Sequence, residues 1–249
     1  VEFLVNFIEN EFGSEEVKMI LSELDNFKRL PLCCVVEKNN LKVFELFFSF
    51  YEQSFDKVQI WQFLHEKDND GDNFLHRAAA LAKSKEVFEF LWMKIEKLSE
   101  NKEELKKYLL IKGKYERNAL IKSITQQNEN TFFFLFEHVF CKIFNITEFA
   151  YESYENGENL LHCLARWGSV SMLKFALEKL KNEFSPEDLQ NFIKLKNKDG
   201  NNLLHLAAAF SKSKEVCEFL WMKIEKLFED KEELEQFLLV KGPYKRNAL

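Results

Sequence analysis

Apolar side chains in residues 85–98 recur with the period of an α-helix. Their spacings of i, i+3, i+4, i+8 and i+11 place them on one helical face, and charged residues occupy the other faces. The pattern therefore predicts an amphipathic helix that buries one side. The apolar positions are Val87, Phe90, Leu91, Ile95 and Leu98.

The same sequence pattern occurs twice along the chain. Residues 70–120 align with residues 199–249 without a gap, and 37 of the 51 positions are identical. The offset of 129 residues is three times 43, which predicts a repeating unit of about 43 residues. Weaker copies of the unit recur between the two strong ones. Each unit has a leucine at the same position, namely Leu32, Leu75, Leu120, Leu161 and Leu204. The residues that follow these leucines are Cys33, His76, Ile121, His162 and His205.

Each unit reads as a helix-turn-helix that cannot bury its apolar face alone, so neighbouring units must stack. We expect one array over residues 1–249. It would contain a degenerate unit at about 1–26 and the start of a truncated unit at 244–249. The full repeats are predicted at 27–69, 70–114, 115–155, 156–198 and 199–243.

The first helix of the unit carries a recognisable motif. The stretches LPLCCVV, NFLHRAA, NLLHCLA and NLLHLAA resemble the ankyrin signature T-P-L-H-x-A-A. The resemblance recurs in register and implies an all-α, ankyrin-type α-solenoid of stacked repeats. Asn73, Asn159 and Asn202 stand at the usual Thr position, which is a departure from that signature.

Extra residues follow each second helix and predict a short third helix, followed by an extended finger. At 185–188, Ser-Pro-Glu-Asp gives an N-cap, proline in the first turn and acidic residues after it. Glycine at 71, 157 and 200 is expected to take positive φ in the finger turns. The two fingers that lack this glycine are expected to use Gly113 and Gly242 instead.

Paired alanines mark the first helices of the two strong copies. Ala78 with Ala79, and Ala207 with Ala208, are small enough for a neighbouring helix to approach closely. Both pairs are therefore predicted to lie in tight helix–helix contacts.

Net charge, apolar run length and cysteine spacing indicate which kinds of partner and compartment to expect. The net charge is −6, from 35 basic and 41 acidic residues, which disfavours nucleic-acid binding. The most apolar stretch, 131–144, is too short to span a membrane and contains Glu137. Five cysteines without paired spacing predict free thiols in a reducing, cytoplasmic compartment.

Catalytic chemistry is not indicated. The chain has no HExxH, GxSxG, GxxxxGK[ST] or GxGxxG motif, so no catalytic residue, cofactor or metal ion is expected and the protein is predicted not to be an enzyme. His76, His162 and His205 lie about one repeat apart, too far for one metal ion. The ankyrin resemblance implies instead that each histidine hydrogen-bonds the backbone of a neighbouring turn.

The resemblance also implies where a partner would bind, namely the concave face formed by finger tips and first helices. Trp167 is the favoured exposed residue, because its unit lacks an extra residue in the inter-helix turn. Leu81 and Phe210 could equally pack under that enlarged turn. The predicted protein-binding residues are Asp72, Arg77, Leu81, Glu158, Arg166, Trp167, Asn201, Leu206 and Phe210.

These features favour a non-enzymatic scaffold that binds an unidentified protein partner and forms part of a longer protein. Two alternatives stay open at this stage. One is the partner-targeting repeat region of a host-directed bacterial effector or toxin, and the other is the cytoplasmic repeat region of a channel or receptor.

Overall fold

The computed structural model describes residues 10–11, 13–228 and 230–240. The chain forms two compact units, Val1–Lys122 and Ser123–Leu249. The predicted truncated repeat at 244–249 and Gly242 lie outside the described residues. The repeat boundaries and the single array over 1–249 stay predictions.

Unit 1 is built from helices joined by short turns. The helices are α1 Ser14–Ser22, α2 Pro31–Glu37, α3 Leu41–Ser54, α4 Lys57–His65, α5 Phe74–Leu81, α6 Lys85–Leu98 and α7 Lys102–Leu109. A 3₁₀ turn follows at Lys114–Glu116, and the boundary between the units falls inside α8, Ala119–Thr125.

Unit 2 is likewise built from helices joined by short turns. Its helices are α9 Glu129–Phe134, α10 Cys141–Ile143, α11 Ile146–Ala150, α12 Leu160–Trp167, α13 Val170–Glu183, α14 Pro186–Lys194, α15 Leu203–Phe210, α16 Lys214–Leu227 and α17 Lys231–Leu238. Leu135–Phe140 is π-helical and joins α9 to α10, and a 3₁₀ turn lies at Glu155–Gly157. Among the described residues no strand is present.

The duplication is visible in the helix bounds. Helices α3 to α7 have counterparts α13 to α17 of the same length, each beginning 129 residues later. The correspondence therefore extends one repeat upstream of the segment with high sequence identity. The predicted third helices are present as α4, α7, α14 and α17.

Side-chain caps fix where the helices begin. The Ser84 hydroxyl accepts from the Val87 N–H at the start of α6, and Ser185 accepts from the Asp188 N–H at the start of α14. These caps satisfy backbone donors that have no partner within the helix. The N-cap read from the sequence at 185–188 is thus confirmed.

The amphipathic faces form the core of each unit. Val87, Leu91 and Ile95 are buried in unit 1, as are Val216 and Ile224 at equivalent positions in unit 2. The predicted repeat at 115–155 instead relies on phenylalanine, and its π-helical turn shifts the register of the side chains at the end of its second helix. Its buried aromatic cluster comprises Phe132, Phe136, Phe140 and Phe149.

The finger glycines behave as predicted at three positions and differently at a fourth. Gly71, Gly157 and Gly200 have φ of 77°, 70° and 80°. The prediction for Gly113 is wrong, since its φ is −97° and the left-handed conformation falls on Tyr115 and Glu116. Gly113 is needed for space, because an added Cβ would lie 2.1 Å from the Asp72 carboxylate.

The paired alanines differ between the two copies. Ala78, Ala79 and Ala207 are buried as predicted, whereas Ala208 is exposed, so the tight contact expected at Ala208 is wrong. No neighbour covers that side of α15 among the described residues.

Ala79→Leu is expected to lower the free energy of unfolding by about 1–3 kcal/mol, because the added carbons overpack a filled contact. Ala208→Leu is its matched control at the equivalent position, and should change the same quantity by less than about 0.5 kcal/mol. Urea denaturation of both variants measures the difference. Equal losses would contradict the burial assigned to Ala79.

Within the described part of the chain, no helix combines the length and the apolar character that a membrane span requires.

Candidate functional site

The signature histidines are structural elements of the repeat. At the start of α5, the Asn73 side chain accepts from the His76 N–H, and His76 Nδ1 accepts from the Asn73 N–H at 3.3 Å. This reciprocal cap explains why asparagine can replace threonine at the signature position. His76 Nε2 then donates to the carbonyls of Ile111 and Arg117, both at 3.0 Å.

The second unit repeats this arrangement at His162. Its Nδ1 accepts from the Asn159 N–H, and its Nε2 donates to the Leu195 carbonyl at 3.2 Å. The predicted role of the histidine as a clamp on the neighbouring turn is confirmed at both positions. Burial lowers the pKa of His76 and of His162 to about 4, because desolvation disfavours the charged ring.

A network of charges ties together the fingers of unit 1. Asp72 Oδ2 lies 2.6 Å from Lys122 Nζ, and its Oδ1 accepts from the Lys114 N–H at 3.0 Å. Arg77 pairs with Asp68 at 2.5 Å and with Asp70 at 3.0 Å. The charges of these fingers are therefore largely directed at one another.

Unit 2 has a different arrangement, centred on Arg166 at the end of α12. Its guanidinium lies 4.7 Å from the ring centroid of Trp167 and 4.0 Å from that of Phe210. Its Nη1 donates to Glu158 Oε1 at 2.7 Å. The carboxylate and the two rings together hold the arginine in place, and cation–π contacts of this kind contribute about 0.5–2 kcal/mol each.

A surface cavity of about 290 Å³ opens beside Arg166. It lies between the finger at 155–158, the finger at 197–201 and the end of α15. The exposed carboxylates of Glu155 and Asp199 give its rim a negative charge. The lining residues are Glu155, Asn156, Glu158, Arg166, Asp199, Asn201 and Phe210. Arg166, Trp167 and this lining are called the Arg166 site below.

The structure separates the nine residues predicted to bind a partner into three groups by exposure. The side chains with almost no exposure are Asp72 at 4 %, Glu158 at 1 % and Leu206 at 0 %. The partly exposed ones are Arg77, Leu81, Arg166, Trp167 and Asn201. Phe210 is 49 % exposed and is the most accessible of the nine.

The three residues with almost no exposure are buried by contacts within the protein. Asp72 and Glu158 point inward as ion-pair partners of Lys122 and Arg166, and Leu206 packs where α15 meets α12. The expectation that Asp72 and Glu158 present their charges at the finger tips is therefore wrong. Of the two aromatic residues, Phe210 is more exposed than Trp167, opposite to the sequence-based preference.

Three residues of the Arg166 site were not identified from the sequence. Asn156 takes a φ of 60° and donates to the Asp199 carboxylate at 2.5 Å, which joins the two fingers. Glu155 lies beside them. Asp199 precedes Gly200 in its finger turn, as Asp70 precedes Gly71 in the first copy, and this recurrence was the one available sequence signal.

No protein-family model and no curated protein matches the sequence of the chain. Solved structures do match its fold. One is the ankyrin repeat domain of Bcl-3, described as a unique member of the IκB protein family. The match has a TM-score of 0.57 and 14 % identity, and covers 98 % of this chain and 84 % of that one.

A second match comes from a complex of the predatory endopeptidase Bd0816 of Bdellovibrio bacteriovorus with the immunity protein Bd3460. It has a TM-score of 0.54 and 16 % identity, and covers 91 % of this chain and 90 % of that one. At these identities the matches establish the fold alone. The predicted all-α, ankyrin-type α-solenoid with an extra short helix in the repeat is confirmed.

Proposed function

We propose that the chain is a non-enzymatic protein-binding scaffold, and that a partner protein docks on the Arg166 site of unit 2. The observation that carries this proposal is the position of the Arg166 guanidinium against the half-exposed ring of Phe210, at the rim of the cavity. Arginine and aromatic side chains that are already held in place are typical of the residues that dominate protein–protein binding energy.

The dimensions of the Arg166 site favour a protein over a small molecule. Its volume of about 290 Å³ falls at the lower limit of ordinary ligand pockets, which begin near 300 Å³. It is large enough for one long side chain. The carboxylates of Glu155 and Asp199 would favour a lysine or arginine of the partner, while Phe210 offers apolar area beside it.

The state of the two clamping histidines and of three of the five cysteines supports a binding role over an enzymatic one. His76 and His162 direct both ring nitrogens at backbone groups of the repeat. Burial raises the pKa of the Cys33 thiol to about 12 and of the Cys141 thiol to about 11, so thiolates are disfavoured near neutral pH. Cys163 is buried as well.

Phe210→Ala is expected to weaken partner binding about tenfold or more, because it removes the most exposed apolar surface of the Arg166 site. The equivalent residue in the first copy, Leu81, provides a matched control, and Leu81→Ala should retain binding. Affinity capture with wild type and both variants is the measurement, followed by titration of the captured protein.

Circular dichroism melts of the variants would establish that the fold is intact. A partner retained equally by wild type and Phe210→Ala would contradict the assigned surface. Turnover of any substrate by the purified chain, abolished by a single His or Cys substitution, would contradict the non-enzymatic role.

A further inference from the structure

A second surface of unit 2 lies in the groove between α13 and α16. The groove contains a cavity of about 150 Å³ with an apolar floor. Leu177 and Phe219 form part of this floor and are themselves nearly buried. We call it the lysine groove. It is lined by Lys174, Leu177, Glu178, Lys181, Leu189, Phe219, Lys223, Lys226 and Leu227.

The rim of the lysine groove is basic, although the chain as a whole is acidic. Lys174 and Lys181 belong to α13, and Lys223 and Lys226 to α16, so both walls contribute ammonium groups. All four lysines are exposed, and none of them forms an ion pair with a described residue. The ammonium groups of Lys174 and Lys223 lie 5.6 Å and 5.4 Å from the centroid of the Phe219 ring.

The equivalent place in unit 1 carries acidic side chains on one wall and basic side chains on the other. Moving back by 129 residues puts Glu45 in the place of Lys174 and Glu52 in the place of Lys181. Glu52 forms an ion pair with Lys94, the counterpart of Lys223, at 2.7 Å. Because Lys181 replaces Glu52, Lys223 lacks the carboxylate that its counterpart Lys94 faces.

The apolar floor differs between the copies as well. Phe48 of unit 1 is fully buried and lies 6.1 Å from the ring of Phe90, the counterpart of Phe219. Leu177 replaces Phe48 in unit 2, and the smaller side chain leaves room beside Phe219. The open cavity and the unneutralised lysines therefore occur together in unit 2.

We propose that the lysine groove docks an acidic peptide segment of another protein, with one apolar side chain of that segment in the cavity. A cavity of about 150 Å³ accommodates a group as large as benzene, and so matches one aromatic or branched side chain. Carboxylates on either side of the anchor would meet the lysines of the two walls. The spacing of Lys174 and Lys181 along α13 is about 10 Å, which a short peptide spans.

This inference goes beyond the proposed function, since the lysine groove and the Arg166 site share no lining residue. The Phe210→Ala variant separates the two. It should lose binding at the Arg166 site and retain binding in the lysine groove.

The test uses fluorescence anisotropy with a labelled, N-acetylated peptide in which one phenylalanine is flanked by glutamates. Wild type and Phe210→Ala should bind this peptide at low ionic strength, and added salt should weaken binding. The double variant Lys174→Glu/Lys181→Glu, which installs the residues of the first copy, should bind about tenfold or more weakly. Leu177→Phe should also weaken binding, because it fills the cavity with the side chain that unit 1 carries.

Several results would overturn the proposal. One is unchanged binding by the double lysine variant or by Leu177→Phe, with circular dichroism showing a folded protein in each case. A peptide with alanine in place of phenylalanine that binds equally well would remove the anchor. Binding to phosphatidylserine vesicles without binding to the peptide would assign the groove to a membrane. Self-association in sedimentation experiments that Leu177→Phe abolishes would assign it to a second copy of the chain.

Discussion

Replacing Asp72 with alanine is expected to lower the free energy of unfolding by about 3–5 kcal/mol, the range observed when one partner of a buried ion pair is removed. The Asp72 and Lys122 side chains are 4 % and 10 % exposed, so water cannot readily replace the lost carboxylate. The change also removes the acceptor for the Lys114 backbone N–H. Urea denaturation followed by circular dichroism provides the measurement.

The internal duplication supplies the control for this prediction. Asn201 occupies the position of Asp72 in the second copy and is partly exposed, so Asn201→Ala should change the same free energy by less than about 0.5 kcal/mol. Asp72→Asn keeps an acceptor for the Lys114 N–H but loses the charge, and should fall between the two. A loss for Asp72→Ala no larger than that for Asn201→Ala would show that the ion pair does not stabilise the fingers.

Lowering the pH from about 7.5 to about 5 is expected to destabilise the fold by about 2 kcal/mol for each of two histidines. The pKa values of His76 and His162 are lowered to about 4, chiefly by burial, from 6.5. Between these values the unfolded chain binds protons that the folded chain does not, so acid favours unfolding. The neutral histidines stabilise the fold fully above about pH 6.5, and this stabilisation is lost progressively as the pH falls toward about 4.

His162→Gln isolates one of the two contributions. The variant should be less stable than wild type near neutral pH, because the bond to the Leu195 carbonyl is lost. Its stability should nevertheless fall less steeply between about pH 7.5 and about pH 5, since one titrating group is gone. Urea titrations of wild type and variant at both pH values measure the two slopes. Identical slopes would mean that His162 is not held neutral by the fold.

Local patterns were sufficient to predict the elements of the repeat. The apolar spacing around Val87 predicted a helix with one buried face, and the structure has that helix at Lys85–Leu98. The Ser-Pro-Glu-Asp sequence predicted the start of a third helix, found at Pro186–Lys194. These predictions succeed because helix periodicity and capping depend on residues within a few positions of one another.

Side-chain direction at the fingers was harder to predict. Asp72 and Glu158 were expected at exposed tips, yet each turns inward to a cation, and for Asp72 that cation is 50 residues away. Gly113 was expected to supply a left-handed turn, but its hydrogen atom is needed because the Asp72 carboxylate lies against it. The ion pair of Asp72 with Lys122 joins two predicted repeats, and the contact of Asp72 with Gly113 joins segments about 40 residues apart, so no local pattern records them. Glu158 and Arg166 are close in sequence, but one lies in a finger and the other at the end of a helix, and the fold sets their relative orientation.

The lysine groove could not be predicted from the sequence of either helix alone. Lys174, Lys181 and Lys223 are unremarkable when α13 and α16 are read one at a time, because charged residues are expected on the outer faces of amphipathic helices. Only the packing of α13 beside α16 places them around one cavity. Comparison with Glu45 and Glu52 then shows that the α13 wall of the groove has the opposite charge to its counterpart in the first copy.

The sequence by itself predicted the amphipathic helix around Val87, the cap at Ser185 and a recurring unit of about 43 residues, since each depends on short spacings or on recurrence along the chain. The clamping role of His76 and His162 followed from the resemblance to ankyrin repeats. The tertiary structure decided which side chains remain accessible. It buried Leu206, left Phe210 half exposed beside Arg166, and opened the cavity above Leu177. Exposure is decided by what the next repeat places against a residue, and that depends on side-chain volumes and charges some 40 positions away, in the neighbouring repeat.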